Sequence, residues 1–231
     1  MKVLSIIVTP KAEDAKLTIQ SLKEQTVHTE IYCIIGKPNK KKLSGQIIGE
    51  TINDYFRCID LERYDWIFKS DDDILYPKDF LEVHLKANCD VIGKDIGMLV
   101  KVEPFLKFMS GKWNETDLCG SYLSWTFQVN GLKVFKDWIK SPLTYERPYL
   151  TIKRVWVIGK LCYNFGFPIL SFVEGQIKST INSSPLFLVS ILGYVYAWIR
   201  REPKDSIASK LERFIKRRHQ RLYRMEELHK K

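Results

Sequence analysis

The stretch Trp66–Phe80, WIFKSDDDILYPKDF, constrains the chain more than any other. An apolar run, Trp66-Ile67-Phe68, leads into Asp71-Asp72-Asp73, and the chain turns at Pro77 before resuming as FLEVHL. Asp is depleted in strands, and carboxylates packed together repel and raise one another's pKa. A buried strand ending in three of them needs a cation, and hard divalent ions take carboxylate oxygens readily. The plain alternative is a solvated acidic turn capping a helix that starts near Asp79. The order of the surrounding elements argues against that alternative.

Lys2–Val8 is a β-branched apolar run, long enough for a strand buried on both faces, and Thr9-Pro10-Lys11 breaks it. Ala12–Gln25 places Ala15, Ile19 and Leu22 at helical spacing. Ile31–Ile35 is a second short strand, stopped by the loop signal Gly36-Lys37-Pro38-Asn39. Leu43–Ile59 reads as a helix with Ile47, Ile48, Ile52, Tyr55, Phe56 and Ile59 on one face, and Tyr64–Lys69 is the third strand. Strand–helix–strand–helix–strand with short loops predicts an α/β fold with an open, largely parallel sheet. Ligands of such sheets bind at the carboxyl ends of the strands. Thr9-Pro10-Lys11, Gly36–Asn39 and Asp71–Asp73 are all strand ends, so the topology gathers them at one edge.

Further along, Val91-Ile92-Gly93 and Gly97–Val102 read as edge or antiparallel strands, Lys112–Thr126 as irregular, and Leu132–Ile139 as a helix. A helix is expected from Glu146-Arg147-Pro148 to about Phe165, ended by Gly166-Phe167-Pro168, with Ile169–Val173 as a last strand. The four histidines show no ligand spacing and read as surface residues.

Charge is uneven. Of a formal +10, Arg200–Lys231 contributes 12 Lys and Arg against 5 Asp and Glu, so the body is only mildly basic. That argues against a nucleic-acid partner. The five cysteines are widely spaced, with no CxxC or Cys/His pattern, which points to a reducing compartment. Met1–Val8 enters a strand directly and has no signal-peptide h-region, so the expected location is cytoplasmic, at the membrane face. Pro185–Ile199 has no charge and is closed by Arg200-Arg201. As a helix it reaches about 22 Å, short of the roughly 30 Å hydrocarbon core. Tyr194, Tyr196 and Trp198 cluster at its basic end, as at a headgroup interface. Ser206–His229 is then basic and amphipathic, and the pair reads as a membrane-surface anchor. A buried core helix and a solvated helix are the alternatives.

Four segments then recur in a familiar order: SIIVTPK with Thr9, LTIQSLKEQT from Leu17, Gly49–Asn53, and FKSDDDILYPKDFLE. Together, over roughly residues 3–175, they resemble the family 2 glycosyltransferases, which have the GT-A fold. The resemblance implies a catalytic domain over 1–180 and a membrane-associating helical tail over 181–231. It implies Mg²⁺ or Mn²⁺ on Asp71 and Asp73, in a DxD site whose register against this chain is open by one residue at Ser70. It also implies nucleotide-sugar contacts from Thr9, Pro10, Lys11, Gly36, Asn53 and Asp72, with Asp72 close to the chemistry. Where the family's second strand ends in a base-reading Asp, this chain has Gly36-Lys37-Pro38-Asn39. Its catalytic base corresponds best to Glu146 in TYERPY, with Glu115 and Asp117 as competitors and a helix-dipole charge as the plain reading.

The implied reaction moves a sugar from a nucleotide-diphospho donor to an acceptor hydroxyl with inversion, a carboxylate taking the hydroxyl proton. The tail suggests a glycan or lipid-linked acceptor at a membrane. Rivals lose on specific positions. A calcium loop starting at Asp71 would need an oxygen ligand and a glycine where Leu75 and Tyr76 stand, and Leu75 also breaks the DxDxT phosphatase pattern. The alternative from another class is a non-catalytic, membrane-associated scaffold with a degenerate fold.

Overall fold

In the computed structural model, which describes residues 1–36, 44–94, 97–116, 118–143, 151–180 and 186–228, the first apolar run forms β1 (Val3–Thr9), buried along its whole length. Its period of two splits it between two cores: Leu4, Ile6 and Val8 point to one face, Val3 and Ile7 to the other. After α1 (Lys16–Lys23) the chain returns as β2 (Thr29–Ile35), and after α2 (Ser44–Phe56) as β3 (Trp66–Ser70). Both strands pair parallel to β1, one on each side. The helix α3 (Phe80–Leu85) leads to β4 (Val91–Lys94) and β5 (Gly97–Lys101), followed by α4 (Val102–Met109), α5 (Cys119–Val129) and β6 (Val134–Phe135). The sheet order is β2-β1-β3-β5-β4-β6. Among the described strands five point one way, and β5 runs against them.

Helices cover both faces. On one, Ile52 and Phe56 of α2, Phe105 of α4, and Leu123 and Phe127 of α5 pack on Leu4, Ile6, Ile67 and Val100. On the other, Leu22 of α1 and Phe80, Leu81 and Leu85 of α3 pack on Ile7, Phe68 and Leu99. Each fully buried Leu or Phe contributes about 1.5–3 kcal/mol of hydrophobic stabilisation. The expected α/β architecture is what forms.

Three local expectations are corrected. The second half of Lys112–Thr126 is not irregular but belongs to α5, in which Leu123 and Phe127 sit one helical turn apart and are wholly buried. Leu132–Ile139 carries β6 rather than a helix: Val134 and Phe135 pair with Val91 and Ile92 at the sheet edge. Ile169–Val173 opens a helix, α7 (Ile169–Thr180), since Phe172 N–H bonds to Pro168 O at 2.9 Å and its ring stacks on Tyr194. A short apolar run does not distinguish strand from helix without such packing. β4 and β5 pair antiparallel, the second of the two arrangements expected for them, and β5 fills the place between β3 and β4.

The chain divides into two compact units, Met1–Pro148 and Tyr149–Lys231. In the second unit α6 (Ile152–Asn164) and α8 (Leu186–Ile199) meet backbone to backbone. A Cβ on Gly159 would stand 1.9 Å from Ser190 O, and one on Gly193 2.2 Å from Trp156 O, so both contacts require glycine. That contact draws α6 and α7 into the same unit as the tail. Gly166 ends α6 at φ +79°, with Phe167 N–H bonded to Cys162 O and Gly166 N–H to Tyr163 O, the stop expected from Gly166-Phe167-Pro168. The last helix, α9 (Ala208–Leu228), packs its start through Ile207, Ala208 and Leu211. Among the described residues no helix is long and apolar enough to cross a membrane.

Candidate functional site

Strand register builds the site. Ile7 of β1 stands opposite Ser70, the last residue of β3, so β1 runs two residues further and brings Thr9 level with the turn beyond β3. Thr9 is buried, and its Oγ1 lies 2.5 Å from Asp72 Oδ2 and 2.7 Å from Lys11 O. A hydroxyl has one proton to donate, and the closer carboxylate oxygen takes it. The main chain of Asp72 is held as well: buried Thr18 of α1 donates to Asp72 O at 2.7 Å and accepts from Ile74 N–H at 3.1 Å.

Ser21 of the same helix, with Gln25 just past its end, clamps the rest of the turn. Ser21 Oγ accepts from Tyr76 N–H. Gln25 Nε2 donates to Pro77 O at 2.8 Å, and its Oε1 accepts from Leu81 N–H at 2.9 Å. Thr18, Ser21 and Gln25 are absent from the expected site residues. Their signal in the sequence is a polar stripe at i, i+3 and i+7 on an otherwise amphipathic helix.

Because β3 ends at Ser70, Asp71, Asp72 and Asp73 lie beyond the strand, in the turn that follows it. Asp71 is half-buried and ion-paired with Lys69, whose side chain is only 4% exposed. Ser70 Oγ shares a 2.8 Å hydrogen bond with Tyr76 Oη and donates to Asp71 O. Burial pushes the Tyr76 phenol up, with the charges of Asp71 and Asp73 adding to it, so it stays a neutral donor beneath the turn. Burial, and then the charge of Asp72, likewise pushes the Cys33 thiol up. Asp73 is exposed.

This donor set fits a particular kind of metal. Among the described residues no group of three or more His, Cys, Asp or Glu is arranged around one point, so a protein-enclosed cage is not built. Mg²⁺ keeps several waters and uses one or two carboxylates together with substrate phosphate oxygens. Asp72 and Asp73, hard oxygen donors at an open strand end, suit an ion shared in that way, while Asp71 is engaged by Lys69.

The other expected residues separate. Pro10 and Lys11 are exposed beside Thr9, and Gly36 N–H bonds to Thr9 O at 2.9 Å, so these share the edge. Asn53 sits in the last turn of α2, about 13 Å along the helix from its first residue. It is buried, with Nδ2 donating to Trp113 O and Glu115 Oε1 and Oδ1 accepting from Trp113 N–H. Gly49 permits the approach, since a Cβ there would meet Asn114 O at 2.5 Å. The Gly49–Asn53 pattern thus fastens the 113–115 segment to α2, and Glu115 is engaged there. Glu146 and Asp117 lie outside the described residues. Leu143, three residues before Glu146, bonds through its N–H to Leu75 O at 2.7 Å. His84 is not a surface residue: it is 1% exposed, with Nδ1 2.6 Å from Phe80 O and Nε2 accepting from Ile139 N–H. A broad open cleft of about 1020 Å³ lies at the opposite end of β3, lined by Tyr64, Trp66, Val102 and Leu106 among others. Neither the carboxylates nor Thr9 line it.

No family model matches the chain, and no curated protein does. Among solved structures the chain is similar to a mannosyltransferase from Pyrobaculum calidifontis in complex with GDP-Man and Mn²⁺. The TM-score is 0.51 at 8% identity, over 92% of this chain and 73% of that one. The fold is therefore glycosyltransferase-like.

Proposed function

We propose that the chain is a metal-dependent glycosyltransferase that takes a nucleotide-diphospho sugar and passes the sugar to an acceptor hydroxyl with inversion. The observation that carries the reading is the Thr9–Asp72–Thr18 arrangement. It fixes a carboxylate at the carboxyl edge of a parallel β1–β3 pair, in a fold shared with a protein solved with GDP-Man and Mn²⁺. A divalent ion, when bound, would neutralise charge on the departing diphosphate. This chain's residues have separate tasks. Asp72 and Asp73 offer the carboxylate oxygens, and Thr9 with Thr18 fixes where Asp72 points. Lys69 offsets one carboxylate charge from below, and Lys11 and Gly36 border the edge where a diphosphate would lie. Glu146 is the proposed general base, on the resemblance of TYERPY to the family's pattern. We assign the acceptor to a glycan or lipid-linked molecule at a membrane surface, reached through the second unit.

One observation favours a second reading. The buried Lys69–Asp71 pair supplies the cluster with an internal cation, as a scaffold that had lost its metal chemistry would. Calorimetric titration with GDP-mannose, UDP-glucose and other sugar nucleotides separates the two. The transferase reading expects Mn²⁺-dependent binding of one donor, weakened about tenfold or more in Asp72→Asn, since charged hydrogen-bonding and metal contacts are worth over a kcal/mol each. Absence of binding to any donor, with and without Mn²⁺, favours the scaffold.

A further inference from the structure

We propose that the outward face of α8 seats the chain flat on an anionic lipid bilayer, which specifies the membrane reading given above and rests on it. The helix has two unlike sides. Ser190, Gly193, Tyr194 and Ala197 are buried, and Gly193 lies against the backbone of α6. At 100° per residue, Leu188, Leu192 and Ile199 occupy the opposite side, 53%, 59% and 69% exposed. Tyr196 and Trp198 flank them, also exposed, and no charge interrupts residues 186–199. An uncovered aliphatic stripe along a whole helix marks an interaction site.

Its surroundings select the occupant. The leucines are bordered by Tyr196 and Trp198 and then by exposed Arg200 and Arg201, aromatic and cationic side chains of the kind that sit at headgroup level around an apolar face lying in the interface. Beyond them α9 exposes Lys210, Arg213, Lys216 and Arg217. A second copy of this chain on the same face would bring two tails of net +7 together, whereas anionic headgroups complement them. Insertion across the bilayer is ruled out by shape: 14 residues reach about 21 Å, and one side is locked on α6. The helix therefore lies in the interface, its stripe entering about 5–10 Å.

The test is cosedimentation of the full chain with phosphatidylcholine vesicles, and with vesicles containing about one third phosphatidylglycerol, at low and high NaCl. The chain is expected to pellet with the anionic vesicles and to be released by salt. Leu188→Glu/Leu192→Glu should bind about tenfold more weakly, with an unchanged circular dichroism spectrum because both side chains are exposed. Leu192→Ser serves as a milder second variant, and Arg200→Glu/Arg217→Glu should lose the preference for anionic lipid. If wild type stays in the supernatant with both vesicles, this proposal and the membrane reading fall together. If it pellets but the leucine variants pellet equally, the α8 seat falls and the membrane reading stands. A lipid-free dimer split by Leu192→Glu would assign the stripe to a second copy instead. No sugar nucleotide enters the assay, so transferase activity is judged separately.

Discussion

Thr18 holds the carboxylate turn with one hydroxyl, donating to Asp72 O and accepting from Ile74 N–H out of α1. Thr18→Val keeps the shape and strands both buried groups, which costs about 1–3 kcal/mol. The urea midpoint should fall accordingly and donor binding weaken, and Thr18→Ser should restore both. His84 gives a pH prediction of definite sign. Burial holds its imidazole below the ordinary value of 6.5, and Nε2 must stay unprotonated to accept from Ile139 N–H. Below pH 6.5 the unfolded chain takes up a proton that the folded chain resists, so stability is full above that value and is lost as pH falls through the lowered folded value. Urea midpoints between pH 7.5 and 5.5 should show that loss, and His84→Gln should flatten it. These residues also mark what a sequence reveals. Three adjacent aspartates announce themselves by type. Thr18, Ser21 and Gln25 look like an ordinary solvated helix face, because only packing of α1 on the turn turns that stripe inward.

At the scale of elements, α6 and α8 are joined where neither can carry a side chain. Gly193→Leu would drive a Cβ to 2.2 Å from Trp156 O, a backbone atom that cannot swing away. Overpacking of this kind costs about 1–3 kcal/mol or more. Differential scanning calorimetry should show a lowered transition for the second unit, with the transition of Met1–Pro148 unmoved. The β1-α1-β2-α2-β3 run was legible in the sequence because each element follows its neighbour and each strand is apolar on both faces. Of the later elements, α5, β6 and α7 were not, because what decides them is non-local packing. β5 inserts between β3 and β4, and β6 is only two residues long. Asn53 shows the same limit: its place in a motif was visible, but its use as a clamp on Trp113 depends on a segment 60 residues away.

For the whole molecule, the charge and the chemistry fall on different units. The carboxylate edge belongs to Met1–Pro148, and the uncharged helix with its basic continuation to Tyr149–Lys231. The proposed transfer at a membrane surface would draw on both. The central claim is turnover at the carboxylate edge. The most direct measurement is nucleoside diphosphate release from a panel of sugar nucleotides with Mn²⁺ or Mg²⁺, with lipid and glycan extracts as acceptors. Asp72→Asn/Asp73→Asn is the informative variant, because it leaves the buried Lys69 paired with Asp71. Release from one donor, abolished by EDTA and by that variant, is the expected result. Release that survives both, or none from any donor, would contradict the account.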